Sequence, residues 1–133
     1  MEEEEVTIKK HSFSKKERLN SKKEIDALFS KGASFYFYPF SIKHTPIDRS
    51  DADCHQILIS VSKRKFKRAV DRNRIKRLIR ESYRLNKQLI ENADQFLSIA
   101  YIYTGKEIHS FDFIQKKLIG SLRRLLAERE KTV

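Results

Sequence analysis

The 133-residue sequence predicts an α+β fold, a two-layer sandwich with helices packed on one sheet. Three observations predict it. Gln56 to Ser62 alternates as a strand does, with Ile57, Ile59 and Val61 on one side and Leu58, Ser60 and Ser62 on the other. Phe96 to Tyr103 is a second run of β-branched and aromatic residues. Ala69 to Ile90 and Phe111 to Leu126 carry apolar residues at helical spacing. The length allows one domain with one modest core, and no repeat or linker divides it.

Residues 1–17 are mostly polar and charged and read as a mobile tail ahead of a domain spanning 18–133. Ser21-Lys22-Lys23-Glu24 is a capping box that opens a first helix. Ile25, Leu28 and Phe29 share one face of it, and Gly32 supplies the stop. Phe35 to His44 suits extended structure, as one bent strand or two short ones broken at Pro39. Thr45 to His55 holds Pro46, Asp48, Ser50, Asp51 and Asp53, a loop composition. Asn92-Ala93-Asp94 ends the long helix, and Thr104-Gly105 closes the strand after it. Ser110 caps a final helix with Asp112 in its first turn. Its core stripe is Phe111, Ile114, Leu118, Leu122, Leu125 and Leu126. The predicted order is helix, two or three strands, helix, strand, helix.

Charge narrows the function. Lys and Arg number 29 against 18 Asp and Glu, a net of +11. Four of the acids are Glu2 to Glu5; without them, 29 cations face 14 acids. A compact domain so charged repels itself unless it meets a polyanion; nucleic acid is the first candidate and an anionic membrane the second. The single Cys54 allows no disulfide within the chain and fits a reducing compartment. The acidic start reads as no secretory signal, and no apolar run is long enough to span a bilayer. The expected location is the cytoplasm, with no membrane partner.

The charge is concentrated. Lys63 to Lys87 holds twelve basic residues and two acidic ones, Asp71 and Glu81. On a helical projection Ile75, Leu78, Ile79 and Leu85 fall on one arc, with Tyr83 at its border. Lys76, Arg80, Arg84 and Lys87 recur on the opposite arc, with Asn73 and Arg77 beside them. One face therefore seats the helix, and the other offers guanidinium and ammonium groups to phosphates. Lys63, Arg64 and Lys65 precede the helix, whose N-terminus adds backbone donors. Surface helices usually mix Glu among their cations at (i, i+4) spacing; here that is nearly absent. The pattern alone does not separate RNA from DNA.

No catalytic constellation stands out. His11, His44, His55 and His109 are far apart in sequence. Cys54-His55 with Asp51 and Asp53 falls short of the paired ligands a zinc site needs, so no metal site and no catalytic side chain is expected. Gly32, Gly105 and Gly120 are too scattered for a phosphate-cradling loop. Tyr101 and Tyr103 read as sheet core or edge rather than base platforms.

Arg72-Asn73-Arg74-Ile75-Lys76-Arg77-Leu78-Ile79-Arg80 is similar to the signature helix of the bacterial ribonuclease P protein family. Arg18-Leu19, Phe29 and Gly32 resemble the family's opening helix, and Ile59-Ser60-Val61-Ser62-Lys63 resembles the strand before the signature. The likeness runs from about Arg18 to Leu126. It implies the order αβββαβα, a ribosomal-protein-like fold with a left-handed β-α-β crossover, against the general right-handed rule.

It also implies an RNA-binding subunit of the ribonuclease P holoenzyme, an endoribonuclease. The catalytic RNA, with Mg2+ bound mainly by that RNA and none intrinsic to the protein, removes the 5′ leader from precursor tRNA. The implied partners are the ribonuclease P RNA and the precursor with its single-stranded leader, with one protein monomer per RNA. Arg72, Asn73, Arg74, Lys76, Arg77 and Arg80, with Lys63, Arg64, Lys65 and Arg84, would face RNA. Asn73 would help order a metal ion near the RNA. Phe29 would line a leader cleft, where an aromatic stacks on a base. Ile25 stands where members often have another aromatic, and Lys43 where some have tyrosine. Charge would therefore replace part of the stacking. The link from Ser62 to Arg72 lacks a glycine many members carry and is one residue longer. A ribosomal or other nucleic-acid-binding module, its basic helix in a major groove, is the alternative.

Overall fold

The computed structural model describes residues 13–47 and 49–131. The elements are α1 (Lys22–Lys31), β1 (Ala33–Phe37), β2 (Phe40–Pro46), β3 (Gln56–Val61), α2 (Ala69–Asn86), β4 (Leu97–Tyr103) and α3 (Phe111–Lys131). Short 3-10 turns cover Lys15–Glu17 and Lys87–Ile90. The order is αβββαβα, as expected. The aromatic stretch resolves into two strands, β1 and β2, paired as a hairpin around Tyr38-Pro39.

The four strands form one sheet in the order β1-β2-β4-β3. β1 with β2 and β2 with β4 run antiparallel, whereas β3 and β4 run parallel, joined by α2. Alternation along each strand decides which layer it feeds. Phe40, Ile42, Ile57, Ile99, Tyr101 and Tyr103 turn to the face covered by α2 and α3. There they meet Ile75, Ile79 and Tyr83 of α2 and Ile114, Leu118, Leu122 and Leu125 of α3. Leu58 and Ala100 turn to the other face and meet Leu28 and Ile25 of α1, with Leu19. Tyr101 and Tyr103 are thus core; the Tyr101 hydroxyl meets Ser121 Oγ at 2.9 Å.

The caps follow the sequence. Ser21 Oγ accepts from Glu24 N (3.4 Å), and Ser110 Oγ accepts from Phe113 N (3.2 Å). Gly32 ends α1 without a left-handed turn, at φ −69°. A Cβ there would lie 2.3 Å from the Leu28 carbonyl oxygen and 3.2 Å from that of His44, so glycine is needed for close approach.

Several boundaries differ from expectation, each for a tertiary reason. The predicted tail is folded from Phe13 onward, and residues 1–12 lie outside the described part. Phe13 packs edge-on against Tyr83, and Glu17 pairs with Lys87 at 2.7 Å. β2 continues through Thr45 and Pro46, which pair with Ser98 and Leu97. Pro46 lies past the start of β1, so its missing N–H costs no bond to that strand. The helix expected to reach Ile90 stops at Asn86. There the side-chain amide donates to the Ser82 carbonyl and to Gln115 Oε1 of α3, and the chain tightens into the 3-10 turn. Leu85 is half-buried and Tyr83 is 2% exposed, so Ile75, Ile79 and Tyr83 form the seam. Phe111 is half-buried outside the core, while Ser121 is fully buried.

Two histidines are built in neutral. His55 Nδ1 accepts from Leu97 N (3.0 Å), and its Nε2 donates to the Ile90 carbonyl (2.9 Å), tying the 3-10 turn and β4 to the start of β3. Burial lowers its pKa. His44 is buried under α3; burial first, and then the Arg129 charge, push it down to about 4. A lowered folded-state pKa means that the unfolded chain binds the proton more readily. The stability these residues contribute is complete above about pH 6.5, the unfolded value. For His44 it is lost as pH falls toward about 4. His44→Leu is expected to flatten urea midpoints measured from pH 7 to pH 4.5 without lowering the midpoint at pH 7. An unchanged acid slope would contradict this.

Candidate RNA interface

The basic segment begins where β3 ends. Ser62 Oγ accepts from Arg64 N (3.1 Å), and the Ser62 carbonyl accepts from Phe66 N (3.1 Å), so the chain turns tightly. Phe66, 8% exposed, plugs this turn into the core against the Tyr103 ring, 6.0 Å between centroids. Lys63, Arg64, Lys65, Lys67 and Arg68 are left exposed around it. Lys65 Nζ donates to the Thr104 carbonyl (2.9 Å), anchoring the turn to the end of β4.

Arg72 braces the same turn. Its Nη1 donates to the carbonyls of Phe66 (2.8 Å) and Lys67 (2.9 Å). That gives the guanidinium a structural task that sequence spacing did not show. Asn73, Arg74 and Arg77 are exposed on the first turns of α2, and they form its open basic face. Lys76 and Arg80 are half-buried, on the side where Tyr83 and Lys87 meet Phe13 and Glu17. The expected solvent row of Lys76, Arg80, Arg84 and Lys87 is therefore broken. Lys87 is turned into its ion pair, only 12% of its side chain exposed, and Arg84 binds Glu81, Nε to Oε2 at 3.1 Å. This bond lowers the Glu81 pKa and raises that of Arg84.

A second surface lies on the opposite face of the sheet. α1 covers only the part around Leu58 and Ala100, leaving Ser34, Tyr36, Ser41, Lys43, Ser60 and Ile102 uncovered or partly so. Phe29, 40% exposed, leans from α1 over its margin, with Lys43 Nζ 5.5 Å from the ring centroid. Ile25 is half-buried on the α1 side. Of the predicted residues, Phe29 and Lys43 thus meet at the margin of this open face, a ring beside an ammonium group, with Ile25 one turn earlier on α1. The sequence missed Ser34, Tyr36, Ser41, Ser60 and Ile102. Their signal was the polar half of each strand's alternation, which marks a face without saying what uses it.

The chain matches the Ribonuclease P family model over residues 13–126. A Porphyromonas gingivalis ribonuclease P protein component is 37% identical over 117 residues, covering 85% of each chain. The chain belongs to the ribonuclease P protein family. A Chlorobium phaeobacteroides component is 34% identical, over 84% of this chain and 83% of that protein. The RNase P protein from Thermotoga maritima superposes with a TM-score of 0.68 at 26% identity, covering 81% and 96% of the two chains. A Staphylococcus aureus RNase P protein gives 0.68 at 25%, covering 82% and 94%. Membership makes this an RNA-binding subunit in tRNA processing and disfavours a ribosomal or DNA-binding module.

In this ribonuclease P protein the groups that tempt a metal or nucleophile reading are otherwise engaged. Both His55 nitrogens are bonded. Burial, with the nearby Asp53 charge, pushes the Cys54 thiol up to about 11, so it stays protonated near neutral pH. Asp53 pairs with Lys16 at 3.1 Å. Among the described residues no group of three or more His, Cys, Asp or Glu side chains could hold a metal ion, and no helix is long and apolar enough to cross a membrane.

The braced and open arginines should behave differently. Arg74→Ala with Arg77→Ala is expected to leave the melting temperature unchanged. It should also lower the slope of log affinity for ribonuclease P RNA against log salt by about two. Arg72→Ala should lower the melting temperature as well as the affinity. Lys116→Ala with Arg123→Ala, on the exposed side of α3, is the control for nonspecific attraction. Equal losses from both pairs would remove the assignment to α2.

Proposed function

We propose that this protein assists a catalytic RNA in the magnesium-dependent removal of the 5′ leader from precursor tRNA. The observation that carries the reading is the presence of two RNA-suited surfaces on one domain. The basic end around Lys63–Arg77 is cationic, exposed and braced by Phe66, Lys65 and Arg72, which suits the phosphates of a folded RNA. The open sheet face beside Ile25, Phe29 and Lys43 is polar and partly aromatic, which suits an unpaired strand. One protein copy would then hold the RNA subunit on one side and the leader on the other, in the cytoplasm.

In this reading the protein's residues bind and orient, and they move no proton. Lys63, Arg64, Lys65, Arg74 and Arg77 neutralise phosphates of the RNA subunit. Arg72 holds the turn in shape, and Lys76, Arg80 and Arg84 extend the contact along α2. Lys43 offers charge and Phe29 a ring face to the leader. In this reading magnesium is held mainly by the RNA subunit. Asn73, exposed in the first turn of α2, is the neutral donor that would meet the hydration shell of such an ion.

The test is cleavage of a precursor tRNA at low magnesium by the organism's ribonuclease P RNA, with and without this protein. Strong stimulation, with no cleavage by protein alone, is expected. Tight RNA binding without stimulation would defeat the proposal, and cleavage by RNA-free protein would move the chemistry onto the chain. Phe29→Ala should weaken holoenzyme affinity for a leader-bearing precursor by about fivefold or more and leave leaderless tRNA unchanged.

A further inference from the structure

The open sheet face carries one ring that its own fold does not use. Tyr36 of β1 is 55% exposed, the most exposed aromatic among the described residues. It pairs with Ser41, which pairs in turn with Ile102, whose neighbour is Ser60. These side chains are short or aliphatic, so nothing on that rung covers the ring. The next rung, two residues along β2 and ~7 Å away, is that of Ser34 and Lys43, beside Phe29.

The ring is nevertheless held. The Tyr36 hydroxyl meets Thr104 Oγ1 at 3.3 Å, Thr104 Oγ1 donates to the Pro39 carbonyl at 3.1 Å, and the Thr104 carbonyl accepts from Lys65 Nζ at 2.9 Å. Tyr36 is therefore restrained at its backbone and at its hydroxyl, with a cation bonded to the same threonine. An exposed aromatic ring pre-ordered in this way loses little freedom on meeting a flat partner. Tyr38, two residues on, contrasts with it. Its hydroxyl meets His109 Nε2 at 3.1 Å and its ring meets the His109 and Phe113 rings edge-on, so it braces the hairpin.

We propose that Tyr36 is a base-stacking platform for single-stranded RNA, and with Phe29 and Lys43 makes a two-point grip on the leader; this rests on the cleft reading above. The ligand is an unpaired nucleobase of any identity, since every base has a π face. Lys43, at the Phe29 end of the grip, supplies charge for a flanking phosphate. Ile25 and Lys43 leave the cleft near α1 short of aromatic rings. Tyr36 supplies one from the neighbouring strand.

The test uses the holoenzyme, this protein with its ribonuclease P RNA. The probes are a precursor tRNA with a full leader, one with an abasic leader, and one with the leader cut to a single nucleotide. Tyr36→Leu keeps an apolar side chain without a ring. It should weaken full-leader binding about fivefold to tenfold, leave single-nucleotide-leader binding unchanged, and reduce the penalty that the abasic leader imposes on the unsubstituted protein. Tyr36→Phe loses the Thr104 bond but keeps the ring, and should stay within about twofold. Full-leader affinity retained by Tyr36→Leu, or equal loss on both leader lengths, would overturn the proposal. Phe29→Ala separates the two readings. A leader-specific loss for Phe29→Ala but none for Tyr36→Leu sinks the platform alone. No leader-specific loss for either sinks the cleft with it.

Discussion

Twelve cations within the 25 residues from Lys63 to Lys87 repel one another, and most of the structure around them exists to hold them in place. The fold meets this in three ways. An aromatic plug, Phe66, anchors the turn from inside. Arg72 and Lys65 spend their charge on backbone carbonyls at 2.8–2.9 Å. Lys87 is drawn into a pair with Glu17, where both side chains are only 12% exposed. The cations left in water are those near the start of α2. Burying a charge pair such as Glu17 with Lys87 adds little net stability, but it ties residues 15–17 to the end of α2.

The sheet then divides the work between its faces. One face is closed by α2 and α3, where the Tyr101 hydroxyl meets Ser121 Oγ and Ser121 Oγ donates to the Leu118 carbonyl. The other is closed only where α1 reaches, around Leu28 and Ala100, and the remainder stays polar and shallow. Thr104 joins the two regions. It accepts from Lys65 through its carbonyl, and its hydroxyl meets that of Tyr36. A displacement of the basic turn therefore reaches the open face through one residue.

What could be read from sequence was what is local. Ser21 and Ser110 cap their helices through bonds to backbone three residues away, and such bonds leave a pattern. Ile57, Ile59 and Val61 alternate because a strand's period is two. Nothing local announced that β3 runs parallel to β4, or that β4 sits between β2 and β3. The order of the elements was legible in these local patterns, and the resemblance carried by Arg72 to Arg80 added that the strands before α2 number three. Asn86 ends α2 through a partner 29 residues away, and Arg72 turns back on carbonyls that spacing cannot see. Tyr36 was hidden in the run Phe35-Tyr36-Phe37-Tyr38, where aromatics on both faces erase the alternation that would have marked it.

Strand β4 is the last strand of the chain to be made, yet it lies inside the sheet, hydrogen-bonded on both sides. While the protein is being synthesised, β3 has no neighbouring strand, only the bridge from Arg18 to Ile57, until residues 97–103 have left the ribosome. The β1–β2 hairpin can form early, since it is local. The basic turn cannot settle then, because its anchors, the Tyr103 ring and the Thr104 carbonyl, come later. A nascent chain stalled before residue 97 would expose the unpaired edge of β3 and a dense block of positive charge beside a ribosome made largely of RNA. Completion of one buried strand therefore governs both the end of aggregation risk and the point at which the cations gain a defined shape.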